Sequence, residues 1–230
     1  MKVLVTGHAG YIGRIMVPML IERGHEVTGL DAFLYEDDPF GSPETLPAQE
    51  LRADVRDVRA EDLVGYDAVV FLAALCNDAL GNLDPQLTYR INHRATVDFA
   101  RAAKEAGVPR FLFSSSCSLY GAGGEGAVDE DAGFNPLTPY GETKIMVEQD
   151  LTHLADDDFT PTYLRNATVY GASPALRLDL VVNDLVAHAV TSGKVLIKSD
   201  GTPWRPLVHV EDVARAFAAA LDAPRETVHD

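Results

Sequence analysis

Three consecutive serines, Ser114, Ser115 and Ser116, close an apolar run in "FSSSCSLYG", and "PYGETK" then supplies Tyr140 and Lys144. On an α-helix a tyrosine and a lysine at this spacing lie one above the other on the same face. A free phenol ionises near pH ~10. An ammonium beside it favours the phenolate and draws its ionisation toward neutral pH, while a serine hydroxyl within reach can share the proton of a substrate hydroxyl. Taken singly, serines at a strand end are turn formers and a helical tyrosine is packing. Together, at the ends of elements where ligands bind, they read as a site for proton transfer to and from an alcohol.

A second set of residues suits phosphate. "TGHAGYIG" places Gly7, Gly10 and Gly13 directly after the first strand and at the opening of a helix. Such glycines allow a sharp turn and let a pyrophosphate approach the helix N-terminus, where unpaired N–H groups and the helix dipole favour negative charge. The spacing is G-x-x-G-x-x-G rather than the commoner G-x-G-x-x-G, but its place in the first strand–helix turn makes it a dinucleotide signal. Asp31 closes the second strand, and a carboxylate there accepts both ribose hydroxyls of an adenosine and repels a 2′-phosphate, which predicts NAD over NADP. Asp54 and Val55 follow the third strand, where they are expected to line an adenine pocket.

These residues need a frame that brings them to one edge, and the pattern of elements supplies it. Strands are expected at 2–6, 25–31, 50–55, 67–74, 110–116 and 160–167. The helix of 11–23 contains Pro18, and the helix of 140–155 faces Val147, Leu151 and Leu154 inward. Between them the helix of 85–106 starts at Asp84 and Pro85, repeats Leu87, Ile91, Ala95, Phe99, Ala102 and Ala106 on one face, and stops at Gly107 and Pro109. Alternation of this kind implies an α/β, Rossmann-type doubly wound parallel sheet, because parallel strands need crossover helices. Ligands in such sheets bind outside the carboxyl ends of the strands. Beyond residue 168 the rhythm changes to a helix of 178–192, short strands at 195–197 and 205–210 and a helix of 211–222. The expected division is 1–168 for the NAD-binding domain and 169–230 for a smaller substrate-binding region.

Composition narrows the partners. A formal net charge of −16 argues against nucleic acid and anionic membrane, whose phosphates that field would repel. Cys76 and Cys117 stand apart in no paired motif and are expected to be reduced, buried thiols. The 7 histidines are scattered without metal-ligand spacing, so no metal is expected. The opening "MKVLVTGHAG" runs straight into a strand, no apolar run is long enough to span a membrane, and a cytoplasmic location is expected.

The turn "TGHAGYIG", with "FLAAL", "FSSSCSLYG", "PYGETK" and "RNATVYG" in this order, resembles the extended short-chain dehydrogenase/reductase family, and within it the NAD-dependent nucleotide-sugar epimerases. The resemblance implies a catalytic set of Ser116, Tyr140 and Lys144, with Lys144 also on the nicotinamide ribose. It adds Tyr11, Ile12, Leu72, Ala73, Ala74, Asn92 and Ser115 to the cofactor contacts, and Asn183 and Arg205 as ligands of a substrate diphosphate. Dehydratase relatives carry an Asp–Glu pair after the active-site hydroxyl and decarboxylase relatives keep the glutamate; here the pair is Cys117–Ser118, which favours inversion at C4 of a nucleotide-diphosphate sugar through a transient 4-keto sugar. A sugar dehydrogenase or ketoreductase, or a nucleotide-binding protein without catalysis, are the alternatives. Thr168 stands where relatives often carry asparagine. Relatives usually continue past "APRETVHD" into further elements, so 169–230 is expected to be a partial substrate-binding region. A homodimer through the helices of 85–106 and 140–155, with Val97 and Met146 among the contacts, is also implied.

Overall fold

The computed structural model describes residues 1–35, 47, 49–76, 84–121, 126–195, 197, 200–202 and 204–227. Six strands, β1 (Lys2–Thr6), β2 (Glu26–Asp31), β3 (Gln49–Arg52), β4 (Ala68–Phe71), β5 (Arg110–Ser116) and β6 (Thr160–Asn166), form one sheet in the order β3-β2-β1-β4-β5-β6. Every pairing is parallel. The central runs Val3–Val5 and Ala68–Phe71 are apolar without alternation because both of their faces are covered. The order reverses between β1 and β4, which opens a crevice at their carboxyl ends.

The crossovers are helical. After the first glycine turn comes α1 (Gly13–Glu22), whose Met16, Val17 and Leu20 are buried while Pro18 lies half-exposed, where its missing N–H is least disruptive. Asp84 caps α2 (Pro85–Thr88) by accepting the Leu87 N–H at 3.0 Å. The helix continues through a π-helical stretch, Tyr89–Ala95, into α3 (Thr96–Glu105). Then α4 (Pro139–Leu154) starts at Thr138, whose hydroxyl accepts the Gly141 N–H, with Pro139 in the first turn.

On one face of the sheet Phe71, Phe99, Phe111 and Phe159 pack with Val147 and Leu151 of α4. On the other, Val3, Val5, Val70 and Leu112 meet α1 and the last long helix, α6 (Val210–Asp222), through Val213, Phe217 and Leu221. The region expected at 169–230 therefore gives one helix back to the main sheet. Its other parts are β7 (Thr168–Tyr170) paired in parallel with β8 (Leu207–His209), and α5 (Val181–Ser192). Among the described residues no helix is long and apolar enough to cross a membrane.

Several expectations change. The third and fourth strands end early, at Arg52 and Phe71, because the chain leaves the sheet there to build the carboxyl-edge loops. Val195 and Ile197 are exposed and form no strand. In the helix of 85–106 the buried positions are Thr88, Asn92, Ala95, Thr96, Val97, Phe99, Ala100 and Ala103, so Ala95 and Phe99 of the expected stripe are buried while Leu87, Ile91, Ala102 and Ala106 are half-buried. The π-helical stretch inserts one residue and rotates the stripe. Val97 is buried in the chain's own core. Cys76 is exposed rather than buried, and Cys117 is half-buried.

Candidate active site

The residues expected to transfer protons lie at the carboxyl end of β5 and on α4, which packs against the turn that follows that strand. A Cβ at Gly141 would lie 2.8 Å from the Ser118 carbonyl oxygen, so this glycine lets the first turn of α4 settle on the short 3-10 turn Cys117–Tyr120. That contact sets Tyr140 beside the loop of Ser116. One turn on, Lys144 is buried, its Nζ donating to the Ser114 carbonyl at 2.6 Å and lying 4.5 Å from the Phe113 ring centroid and 5.3 Å from that of Tyr140. Burial brings its pKa down to about 8, against the opposing pull of Cys76 and Glu148. The Ser116 hydroxyl accepts the Ser118 N–H at 3.1 Å and donates to the Ser118 hydroxyl at 3.0 Å.

Strand alternation separates the serines. Ser115 points to the opposite face, is buried, and donates to Glu148 Oε1 at 2.5 Å. Glu148 in turn pairs with Arg165, Nη2 to Oε2 at 2.7 Å, and Arg165 also donates to the Tyr120 hydroxyl and the Glu130 carbonyl. The expected cofactor or substrate contact of Ser115 is thus replaced by a buried network that ties β5, β6 and α4 together.

The dinucleotide residues gather at the ends of β1, β2 and β4. Gly7 has φ 71°, and a Cβ on it would be 2.9 Å from the Ala73 N; a Cβ on Gly13 would be 2.5 Å from the Gly7 carbonyl oxygen. The turn can close only without side chains at these positions, and bare backbone lines it. Leu72 and Ala73 lie against it, their N–H groups donating to the Thr6 carbonyl and hydroxyl; Ala74 follows. Ile12 stands at the start of α1, which has no side-chain cap and no acid in its first turn, so the positive end of the helix dipole is turned to where a pyrophosphate would sit. The Asp31 carboxylate accepts the Ala9 N–H at 3.0 Å and the Phe33 N–H at 2.9 Å. Asp54 pairs with Arg56, whose hydrogen bonds lower its pKa, and Val55 beside it is buried. A cradle of this shape fits NAD.

Two of the residues expected to touch ligand, Asn92 and Asn183, have protein partners, and a third, Arg205, is exposed. Asn92 is buried and clamps Leu75, accepting its N–H and donating to its carbonyl, both at 2.8 Å. Asn183 donates to the Tyr11 hydroxyl at 3.1 Å and the Arg177 carbonyl at 2.9 Å, and accepts the Gly171 N–H. Both of its N–H groups are committed to holding the 171–177 loop rather than open to a diphosphate. Arg205 is exposed, with no hydrogen bond or ion pair recorded among the described residues. Tyr11 has a second role: its hydroxyl donates to the Gly171 carbonyl at 2.7 Å, and burial raises its pKa.

Sequence reading passed over Glu148, although Tyr140, Lys144 and Glu148 fall at i, i+4 and i+8 on one face. It also passed over Arg177, which lies in a stretch without periodicity. The Arg177 guanidinium donates to Cys76 Sγ at 2.8 Å, pairs with Asp179 and interacts electrostatically with Tyr140. Among the described residues no group of His, Cys, Asp and Glu could hold a metal ion.

Comparison with known proteins covers almost the whole chain. The model of the NAD dependent epimerase/dehydratase family matches residues 3–230. The chain is similar to UDP-glucose 4-epimerase of Bacillus subtilis (strain 168), 30% identical over 96% of this chain and 73% of that protein. It is similar in structure to MoeE5 in complex with UDP-glucuronic acid and NAD, with a TM-score of 0.84 and 34% identity over 97% of this chain and 73% of that one. It is also similar to TunA, an NAD-dependent NDP-hexosamine 5,6-dehydratase, with a TM-score of 0.86 and 26% identity over 96% of this chain and 71% of that one.

Proposed function

Because this chain belongs to the NAD dependent epimerase/dehydratase family, we propose that it inverts C4 of a nucleotide-diphosphate sugar. The observation that carries the reading is Lys144 Nζ 5.3 Å from the Tyr140 ring centroid on a helix packed against the turn after Ser116, with Cys117 and Ser118 following that serine where an eliminating enzyme would need an acid. UDP-glucose 4-epimerases among the relatives support it.

The residues divide the work as follows. The glycine turn of Gly7, Gly10 and Gly13, the open end of α1 and Asp31 hold NAD. Lys144, below the Tyr140 ring, holds a positive charge that favours the phenolate. Tyr140 takes the proton of the sugar C4 hydroxyl and later returns it, with the Ser116 hydroxyl sharing that proton. When bound, NAD supplies the acceptor and donor of the C4 hydride. Since no carboxylate follows Ser116, no group stands ready to expel a neighbouring hydroxyl, and return of hydride to the other face of the keto sugar is the remaining outcome.

Incubation of the purified chain with UDP-glucose, UDP-galactose and their N-acetyl and uronic-acid counterparts, without added cofactor, tests this by proton NMR at C4. The expected result is a C4 epimer from one of them, with Tyr140→Phe lowering the rate by about 10²–10⁴-fold. No epimer from any of these sugars, together with net change in nicotinamide absorbance when NAD is added, would transfer the assignment to a sugar oxidoreductase.

A further inference from the structure

The glycine turn buries a large polar side chain directly after its first glycine. His8 follows Gly7, and its residue is 3% exposed. Its imidazole crosses β2 at Gly29, a path only glycine leaves open: a Cβ at that position would lie 2.4 Å from His8 Cδ2 and Cγ. Beyond Gly29 the ring reaches β3, where His8 Nε2 lies 2.9 Å from Glu50 Oε1. Glu50 is the register partner of Gly29, so the side chain spans the strand by the shortest route. The ring edge meets Phe33 at 5.5 Å, and Nδ1 is buried with no hydrogen-bond partner. A hydrogen on Nε2 satisfies Glu50 and leaves Nδ1 as a bare lone pair over the Gly29 methylene.

The next residue connects this strap to the cofactor site. Ala9 N–H donates to Asp31 Oδ2 and Phe33 N–H to Oδ1. The two bonds fix the plane of the carboxylate and leave each oxygen a further lone pair. The position of Ala9 is set by its neighbour His8, which is anchored at Glu50.

We propose that His8 is a positioning residue for the cofactor: strapped across Gly29 to Glu50, it holds Ala9 and the Asp31 carboxylate in the orientation that receives the adenosine ribose hydroxyls, and so sets how tightly NAD is retained. Retention matters because an enzyme that returns the hydride it has taken works best with a cofactor that stays, a point that rests on the epimerase reading.

Titration of NAD onto the full chain and its melting midpoint without nucleotide, measured together, test the strap. Glu50→Ala is expected to weaken NAD about tenfold, whereas Glu50→Gln, which keeps an acceptor for Nε2–H, stays within about threefold of wild type. Gly29→Val alone lowers the melting midpoint by colliding with the ring. The double variant His8→Gly with Gly29→Val recovers that midpoint, since valine fills the vacated space, yet still binds NAD about tenfold more weakly. Binding within about twofold of wild type for both Glu50→Ala and the double variant overturns the proposal. So does a double variant that melts no higher than Gly29→Val. Absence of NAD binding by wild type itself overturns the strap and the cofactor reading together, and is recognised because every chain then fails alike.

Discussion

Lys144 stands where an ammonium is hardest to hold, buried with one carbonyl donor-acceptor bond and two aromatic rings around it. Burial brings its pKa from 10.5 to about 8. Below pH ~8 both folded and unfolded chains carry the proton, and the full penalty of about 3 kcal/mol applies. Between pH ~8 and ~10.5 the folded chain releases the proton while the unfolded chain keeps it, so stability rises with pH across that window. Lys144→Met should therefore abolish turnover and raise the melting midpoint of the nucleotide-free protein at pH ~7, by about 5 °C after allowing for the lost Ser114 bond. The advantage should shrink when the melts are repeated at pH ~10. An equal or lower midpoint at neutral pH would show that the lysine carries no burial penalty. That Tyr140 and Lys144 share one helix face was legible from their spacing, and the structure places the Lys144 Nζ 5.3 Å from the Tyr140 ring centroid. The partner of Ser115 was not legible: alternation puts it opposite Ser114 and Ser116, and only the fold shows that Glu148 waits on that side. Asn183 and Arg205 were read from resemblance alone, because no spacing in the chain points to them.

α4 carries chemistry on its first turn and support two turns later. Glu148 is 5% exposed and links α4 to β5 through Ser115 and to β6 through Arg165. Removing one partner of a buried pair leaves the other unmatched in a low-dielectric setting, which costs about 3–5 kcal/mol. Glu148→Ala should accordingly lower the denaturant midpoint steeply, while Glu148→Gln, which can still accept from Ser115 and Arg165, loses less. Equal midpoints for the two would mean that the carboxylate adds nothing beyond its shape. Helices were found from periodicity, but the π-helical turn at Tyr89–Ala95 was hidden because it shifts the stripe by one residue while leaving it helical. It buries Asn92 against Leu75 and keeps the loop after β4 in place. Strand ends were similarly overextended at Val55 and Ala74, since apolar loop residues at the carboxyl edge look like strand until the ladder is seen to stop.

Strand–helix alternation implies parallel strands with helical crossovers, which is why the parallel frame was legible before any contact was known, whereas the order β3-β2-β1-β4-β5-β6 is seen only in the fold. What joins that frame to the later part of the chain was not, because the joining residues are 160 apart: the Tyr11 hydroxyl donates to the Gly171 carbonyl. Asn183 Nδ2 donates to the Tyr11 hydroxyl oxygen at 3.1 Å, and the Ser173 hydroxyl donates to the Tyr11 carbonyl at 2.8 Å. One side chain in the dinucleotide turn thus fixes the loop that carries Arg177 toward Tyr140 and Cys76. Tyr11→Phe keeps the ring and deletes the hydroxyl, leaving the Gly171 carbonyl and one Asn183 N–H unpaired inside the molecule, at about 1–3 kcal/mol. The loss should fall on the tie rather than on the main sheet. Amide hydrogen exchange is therefore expected to speed up across 171–183 and α5 while β1, β4 and β5 keep their protection. If the proposed epimerase activity holds, the sugar nucleotide the chain turns over should bind more weakly with NAD affinity changed less, because the cradle of Gly7 and Gly13 is set by backbone contacts that the substitution does not touch. Uniform acceleration of exchange through the sheet would place the hydroxyl in global stability instead, and unchanged exchange at 171–183 would show that the loop holds its position without it.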